Sequence, residues 1–364
     1  MKLVIVNPIM TEPRFHFDRS IELSKYMEVV WVCGWMLHSH YKFSDYLVDK
    51  HQIRVIGKGN IHRKWRGIWD ILVFTCNTAR YIKQENPDVV LVYSSMFAFI
   101  IPLMAPGFKY ILQLFTTNVS PSKIRNILWD AWGKIIMLPY NSFFIQTPEL
   151  VDMFKLKVNE CYIVKWGMKP LSNNTKEFSV INMLYIGTLN FRRVHETVAG
   201  LKLFLMKHPD AKVHYSIIGK GNEEHVRLLK EEIEKNSLEG IVEYHGYLPN
   251  DSIKPFFEEC NVGVSYVPIT PYYTDVIVTK TIEYLLSGMV VVATNTNKNQ
   301  EVITSYNGVL TPDSVNGFAD GLESLFIQLG SYDSKVIAED AKEWTVEYQI
   351  ENSIVPILMN IASK

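Results

Sequence analysis

Residues 262–294 read VGVSYVPITPYYTDVIVTKTIEYLLSGMVVVAT. The stretch opens on a nearly unbroken apolar run, Val262 to Val267, and closes on another, VVVAT at 290–294. Runs of this length without polar alternation suit strands of a parallel sheet whose two faces are both covered. Between them a long loop ends in Thr279-Lys280 and opens a helix. The segment is therefore one β-α-β unit of a doubly wound sheet.

The same pattern extends to both sides. Upstream lie INMLYIG (181–187), VHYSIIG (213–219) and IVEYHG (241–246), each separated from the next by a helical stretch. Residues 223–236 place Val226, Leu229 and Ile233 on one face beneath a charged remainder. Further upstream, LVIV (3–6), VVWVC (29–33), IRVI (53–56), VVLVY (89–93), YILQLF (110–115) and Ser142 to Gln146 form a second strand series, with amphipathic segments such as Ile68 to Gln84 between them. The rhythm lapses at 166–180, the linker. Two domains follow, 1–168 and 169–344, which agrees with a chain of 364 residues, too long for one ordinary core. Ser334 to Lys364 is helical in pattern. Its last part, about 345–364, is expected to cross back and complete the first domain.

Composition excludes several classes. Hydrophobic residues make up 48% and charged residues 21%, a globular balance. The start, MKLVIVNPIM, has too short an apolar run for a signal peptide, and Met96 to Gly107 is far short of a membrane span. Four scattered cysteines without a CxxC pair read as a reduced, cytoplasmic protein. The net charge is −1, but residues 1–165 carry 20 Lys and Arg against 13 Asp and Glu. That basic half favours an anionic partner, either a membrane surface or a phosphate-bearing acceptor. Aromatic and basic residues from Trp35 to Arg80 suit an interface or a polyprenyl-diphosphate acceptor, and equally a solvated helix face. No nucleic-acid module accompanies them. There is no GxGxxG after the first strand, no GxxxxGK[ST] and no DxD, so NAD, ATP hydrolysis and a diphosphate-bound metal are not expected.

Several short runs stand at strand ends, where open α/β sheets bind ligands. They are Tyr185-Ile186-Gly187-Thr188-Leu189 with Arg193, Ile217-Ile218-Gly219-Lys220-Gly221, and His245-Gly246-Tyr247-Leu248. Tyr266-Val267-Pro268, the helix from Thr279 through Glu283 to Gly288, and Asn307-Gly308-Val309-Leu310 complete the series. In this order they resemble the retaining GT-B glycosyltransferases of family 4, over roughly residues 181–325. Asn86-Pro87-Asp88-Val89-Val90 and Val164 to Met168 are similar to further family patterns in the first half.

The resemblance implies two Rossmann-like domains facing across a cleft, the first for the acceptor and the second for a nucleotide-sugar donor. It implies transfer with retention to a saccharide or lipid-linked acceptor, as in the synthesis of bacterial surface polysaccharide or glycolipid, without a metal or other cofactor. Thr279 and Lys280 would offer free N–H groups and a positive helix end to the diphosphate. Lys280 and Arg193 would neutralise the leaving group, Glu283 would hold the ribose diol, and Asp275 would contact donor-sugar hydroxyls. Gly187 and Gly219 would admit the phosphates, and Tyr247 and Leu248 would lie by the base. Thr188 stands where the family usually has Arg.

In the first half, the loop Asn7 to Arg14 lacks the family's glycines, and Phe115 replaces a common His. Arg14, His16 and Asn118 are the cleft candidates there. Two other readings stay open: a catalytically silent GT-B partner subunit, and a sugar-nucleotide epimerase. The expected location is the cytoplasm, with the inner face of the plasma membrane as the second expectation.

Overall fold

The computed structural model describes residues 1–10, 13–36, 51–56, 64–114, 123–146, 148–157, 160–274 and 278–364. Within these, the chain divides into two compact units, 1–167 with 346–364 and 168–345.

Unit 1 is a seven-stranded sheet of order β3-β2-β1-β4-β5-β6-β7. Its strands are β1 (Lys2–Met10), β2 (Glu28–Met36), β3 (His51–Val55), β4 (Val89–Tyr93), β5 (Lys109–Gln113), β6 (Phe143–Ile145) and β7 (Cys161–Ile163). All pairings are parallel, with Leu3 opposite both Val29 and Val89. Helices α1 (Pro13–Ser24), α2 (Lys64–Glu85), α3 (Ile100–Met104), α4 (Lys123–Met137) and α5 (Glu149–Phe154) connect them. Successive side chains of β1 enter opposite cores: Val4 and Val6 pack with Phe74, Ala98 and Ile136, whereas Leu3 and Ile5 pack with Leu23 and Trp31. This two-sided burial is why the strands read as continuous apolar runs.

Unit 2 is a six-stranded parallel sheet of order β10-β9-β8-β11-β12-β13. It is built from β8 (Ile181–Ile186), β9 (Val213–Ile218), β10 (Val242–Gly246), β11 (Val262–Ser265), β12 (Val290–Thr294) and β13 (Gly308–Thr311). Its helices are α6 (Val194–Lys207), α7 (Glu223–Lys235), α8 (Asn250–Glu259), α9 (Pro271–Thr274), α10 (Thr279–Leu286), α11 (Asn297–Val302), α12 (Val315–Gln328) and α13 (Ser334–Asp340). In both sheets the order reverses at the first strand, so a ligand crevice belongs at the carboxyl ends of β1 and β8.

Two strands escaped the sequence reading. β7 has three residues, and β13 opens on Gly308 beside a polar turn, so neither presents an apolar run.

The chain then returns to unit 1 through α14 (Val346–Gln349), a π-helical turn at Ile350–Ile354, and α15 (Val355–Ser363). Val346, Ile350, Ile354, Leu358 and Ile361 recur every three or four residues and are buried with Leu3, Ile5 and Trp31. The helix expected over 345–364 is thus interrupted. Pro356, which has no N–H to give, stands just after the π turn, where the regular ladder cannot be kept. Among the described residues no helix is long and apolar enough to cross a membrane.

Candidate functional site

The carboxyl ends of β8, β9 and β10 are stitched by backbone hydrogen bonds. Gly187 N–H donates to Ile218 O at 3.0 Å, and Gly219 N–H donates to Gly246 O at 2.8 Å. A Cβ on Gly219 would lie 1.8 Å from Gly187 O. No side chain fits there, and the surface between these ends is bare backbone. The Tyr244 hydroxyl closes the stitch by donating to Gly219 O at 2.9 Å.

Helix α10 is fixed beneath this surface. Tyr284, fully buried, stacks on Phe257 at 5.5 Å and accepts the Ile186 N–H on its hydroxyl at 3.0 Å. The ring fits because Gly263 faces it, where a Cβ would come within 2.3 Å. Burial holds the Tyr284 phenol far above its ordinary pKa, so it stays neutral. Ser265 and Thr281 hydroxyls meet at 2.6 Å and tie the first turn to β11. The N-cap is Val278, which makes no side-chain cap, so among the described residues the first-turn N–H groups have no side-chain acceptor.

Thr279 is exposed at this helix start. One turn on, Glu283 Oε2 lies 2.6 Å from Lys280 Nζ, with both side chains mostly buried. Apart from that ion pair, Oε2 is buried without a hydrogen-bond donor. Among the described residues this is the carboxylate oxygen left in that state, and it stands beside the helix end.

The β8–α6 loop carries the cations. Leu189 N–H donates to Lys220 O at 2.9 Å, and the Thr188 hydroxyl lies within 3.4 Å of the same carbonyl. Phe191 and Arg193 both adopt positive φ, +59° and +52°, which bulky residues rarely do. Phe191 is held there by its N–H to His225 Nε2 at 3.1 Å. Arg193 pairs with Asp313, at the start of the segment leading to α12, and with Glu196 Oε1 at 3.2 Å. Asp313 also accepts the Ile269 N–H at 2.9 Å, and Glu196 accepts the Tyr266 hydroxyl at 2.7 Å. Arg192 turns elsewhere: its guanidinium lies over the Tyr273 ring at 4.1 Å, and Nη1 is buried with no hydrogen-bond partner.

Tyr247 is exposed at the end of β10 with Lys220 over its ring at 5.4 Å, whereas Leu248 packs against the core of unit 2. Of the remaining candidates, Asp275 and Asn118 lie outside the described residues. Arg14 and His16 fall in the first turn of α1, with side chains outside the description. The structure brings together Gly187 and Gly219, ties α10 to Ile186 through the Tyr284 hydroxyl, and pairs Lys280 with Glu283. Sequence reasoning missed Arg192, Tyr284 and Asp313. The doubled Arg192-Arg193 was a visible signal; the tie from Arg193 to a residue 120 positions away was not. Among the described residues no group of three or more His, Cys, Asp or Glu is placed to hold a metal ion.

Two α/β sheets, each reversing at its first strand, with a backbone-lined crevice and a helix start in the second, make up the GT-B fold of glycosyltransferases. Residues 181–328 match the family model described as "Glycosyl transferases group 1". A search of curated protein sequences finds no match. Among solved structures, a glycosyltransferase from Rickettsia africae is similar at TM-score 0.71 and 14% identity, covering 99% of this chain and 98% of the other. HepE of Anabaena in complex with UDP gives TM-score 0.71 at 13% identity, covering 99% and 100%. Sucrose-phosphate synthase of Thermosynechococcus elongatus gives 0.72 at 11%, covering all of both chains.

Proposed function

We propose that this protein is a retaining glycosyltransferase that takes its sugar from a nucleoside diphosphate, with a UDP-sugar as the first candidate. The observation that carries the reading is the buried Oε2 of Glu283, with no partner but Lys280, one turn into a helix whose N-cap makes no side-chain cap and which Tyr284 ties to Ile186, the residue before Gly187. A diphosphate satisfies the N–H groups of Thr279 and Lys280, and the ribose diol satisfies Glu283. HepE, similar in fold, binds UDP and, in another structure, UDP-glucose.

In the reaction the bond between the anomeric carbon and the diphosphate oxygen breaks. A new bond forms from that carbon to an acceptor hydroxyl, whose proton passes to the departing diphosphate. Negative charge grows on the diphosphate as the bond lengthens, so Lys280, an arginine of the β8–α6 loop and the α10 dipole act most strongly in the transition state. Asp275 contacts the donor sugar, and Tyr247 and Leu248 flank the base. Arg14, His16 and Asn118 belong with the acceptor, a saccharide or a lipid-linked sugar of a bacterial surface polymer. Cations and helix N–H groups do here what a metal does at other diphosphate sites, so no cofactor is needed. The protein works in the cytoplasm, and the basic first unit suits the inner face of the plasma membrane.

Thermal-shift titration with UDP, GDP, ADP and dTDP, with and without Mg²⁺, tests this. One diphosphate at about 100 times its dissociation constant should add about 2.7 kcal/mol to wild type. The shift should not need Mg²⁺ and should be lost in Glu283→Ala. Absence of a shift with all four at millimolar concentration would instead favour a silent partner subunit.

A further inference from the structure

We infer that Arg192, rather than Arg193, is the cation of the β8–α6 loop that meets the donor diphosphate, and that Arg193 is a structural tie. The inference rests on the donor reading above and assigns the charges within it.

Charge at the switch point is unevenly spent. Arg193 sits between two carboxylates, Asp313 and Glu196, and each of these has a second donor, Ile269 N–H or the Tyr266 hydroxyl. One cation against two carboxylates leaves that cluster net negative, which repels a diphosphate. Lys280 and Glu283 cancel each other. Arg192 has no ion pair among the described residues, and its Nη1 is buried without an acceptor; Arg193 Nε is buried without one too, but the rest of that guanidinium is held by the two carboxylates. A half-buried guanidinium with a bare N–H is costly unless an anion arrives. The face of Tyr273 offsets part of that cost and holds the fork in place.

Position agrees with charge. Arg192 lies between two residues of positive φ, a strained backbone that persists where function requires it. It neighbours Tyr185, whose hydroxyl donates to Thr188 O at 2.8 Å and would lie 3.1 Å from a Cβ on Gly187. Tyr273 belongs to α9, on the connection that runs from β11 to α10. Arg192 therefore joins the loop after β8 to the segment leading into the helix start, the two sides of the proposed phosphate site. It also supplies the guanidinium that Thr188 cannot, from a point four residues later in the loop.

Competition against a fluorescent UDP analogue, with UDP and uridine as competitors, tests the assignment in Arg192→Ala, Arg192→Lys and Arg193→Ala, with melting temperatures recorded in parallel. Arg192→Ala should weaken UDP by about 10- to 100-fold and leave uridine nearly unchanged. Arg192→Lys should recover part of the loss. Arg193→Ala should lower the melting temperature while keeping the wild-type preference for UDP over uridine. Wild-type preference in Arg192→Ala together with its loss in Arg193→Ala overturns the assignment and leaves the donor reading intact. No binding of UDP, GDP, ADP or dTDP to wild type overturns both.

Discussion

The two units share a topology yet differ in the polar groups that stand near the carboxyl ends of their strands. In unit 1, Gln113 is fully buried and spent within the fold. Its Nε2 donates to Leu114 O at 3.2 Å, and its Oε1 accepts the Trp166 indole N–H at 2.8 Å. Arg19 donates to Gly167 O at 3.1 Å, and the Ser20 hydroxyl meets His51 Nε2 at 2.8 Å. Unit 1 also keeps a buried hydroxyl without a hydrogen bond, Thr78 Oγ1, but it lies in the middle of α2. In unit 2, Arg192 Nη1 and, apart from its ion pair with Lys280, Glu283 Oε2 are left so in segments that follow β8 and β11. Polar groups that satisfy one another specify a fold; those left over anticipate a ligand. The same strand order thus ends in mutually satisfied side chains around Gln113 and in unsatisfied ones around Glu283 and Arg192.

The comparison breaks most readily at the glycines. Gly219→Ala places a methyl against immovable backbone and should cost about 3 kcal/mol in unfolding, with loss of nucleotide binding. In unit 1, Gly34→Ala meets the Phe74 ring edge at 2.9 Å and Pro8 O at 3.0 Å. The ring can give a little, so about 1 kcal/mol is expected, and nucleotide binding should persist. Denaturant midpoints and a nucleotide titration on both variants decide the matter; equal losses would remove the distinction.

Next in size is Glu283→Gln, which keeps shape and removes charge. Nucleotide affinity should fall by about 10- to 100-fold in calorimetry, with little change in melting temperature. Gln113→Ala should do the reverse: stability falls by about 2 kcal/mol as the Trp166 indole loses its acceptor, and affinity holds.

The smallest effect concerns Glu85, whose side chain pairs with Lys2. The hydrogen bond from Lys2 holds its carboxyl below the usual 4.5. Its contribution is full above that value and disappears as the pH falls through the lowered pKa. Glu85→Gln should therefore cost a few tenths of a kcal/mol at neutral pH and nothing once both proteins are below that range. Melting curves from pH 7 to pH 3 read this out.

The sheets were legible in the sequence because two-sided burial writes itself as unbroken apolar runs, from Val89–Tyr93 to Val290–Thr294. The start of α10 was legible too, since Thr279 to Glu283 follows a strand and a loop at fixed spacing. What stayed hidden depends on partners far along the chain. Nothing near Arg193 announces Asp313, and nothing near Gly263 announces that the Tyr284 ring fills its place. Sequence locates the charges of a site; which of them remain uncancelled is a three-dimensional property.

The return of residues 346–364 to unit 1 sets the order in which the protein can be made. Unit 2 is written in one uninterrupted piece, and its two ends already touch, with Met168 N–H donating to Trp344 O at 2.8 Å. It can finish folding as soon as that piece leaves the ribosome. Unit 1 is translated first but must wait, with the face of Leu3, Ile5 and Trp31 uncovered, until Ile350, Ile354 and Leu358 arrive. The usual first-made, first-folded sequence of domains is inverted. During that interval the earlier unit is the one exposed to aggregation and to chaperones.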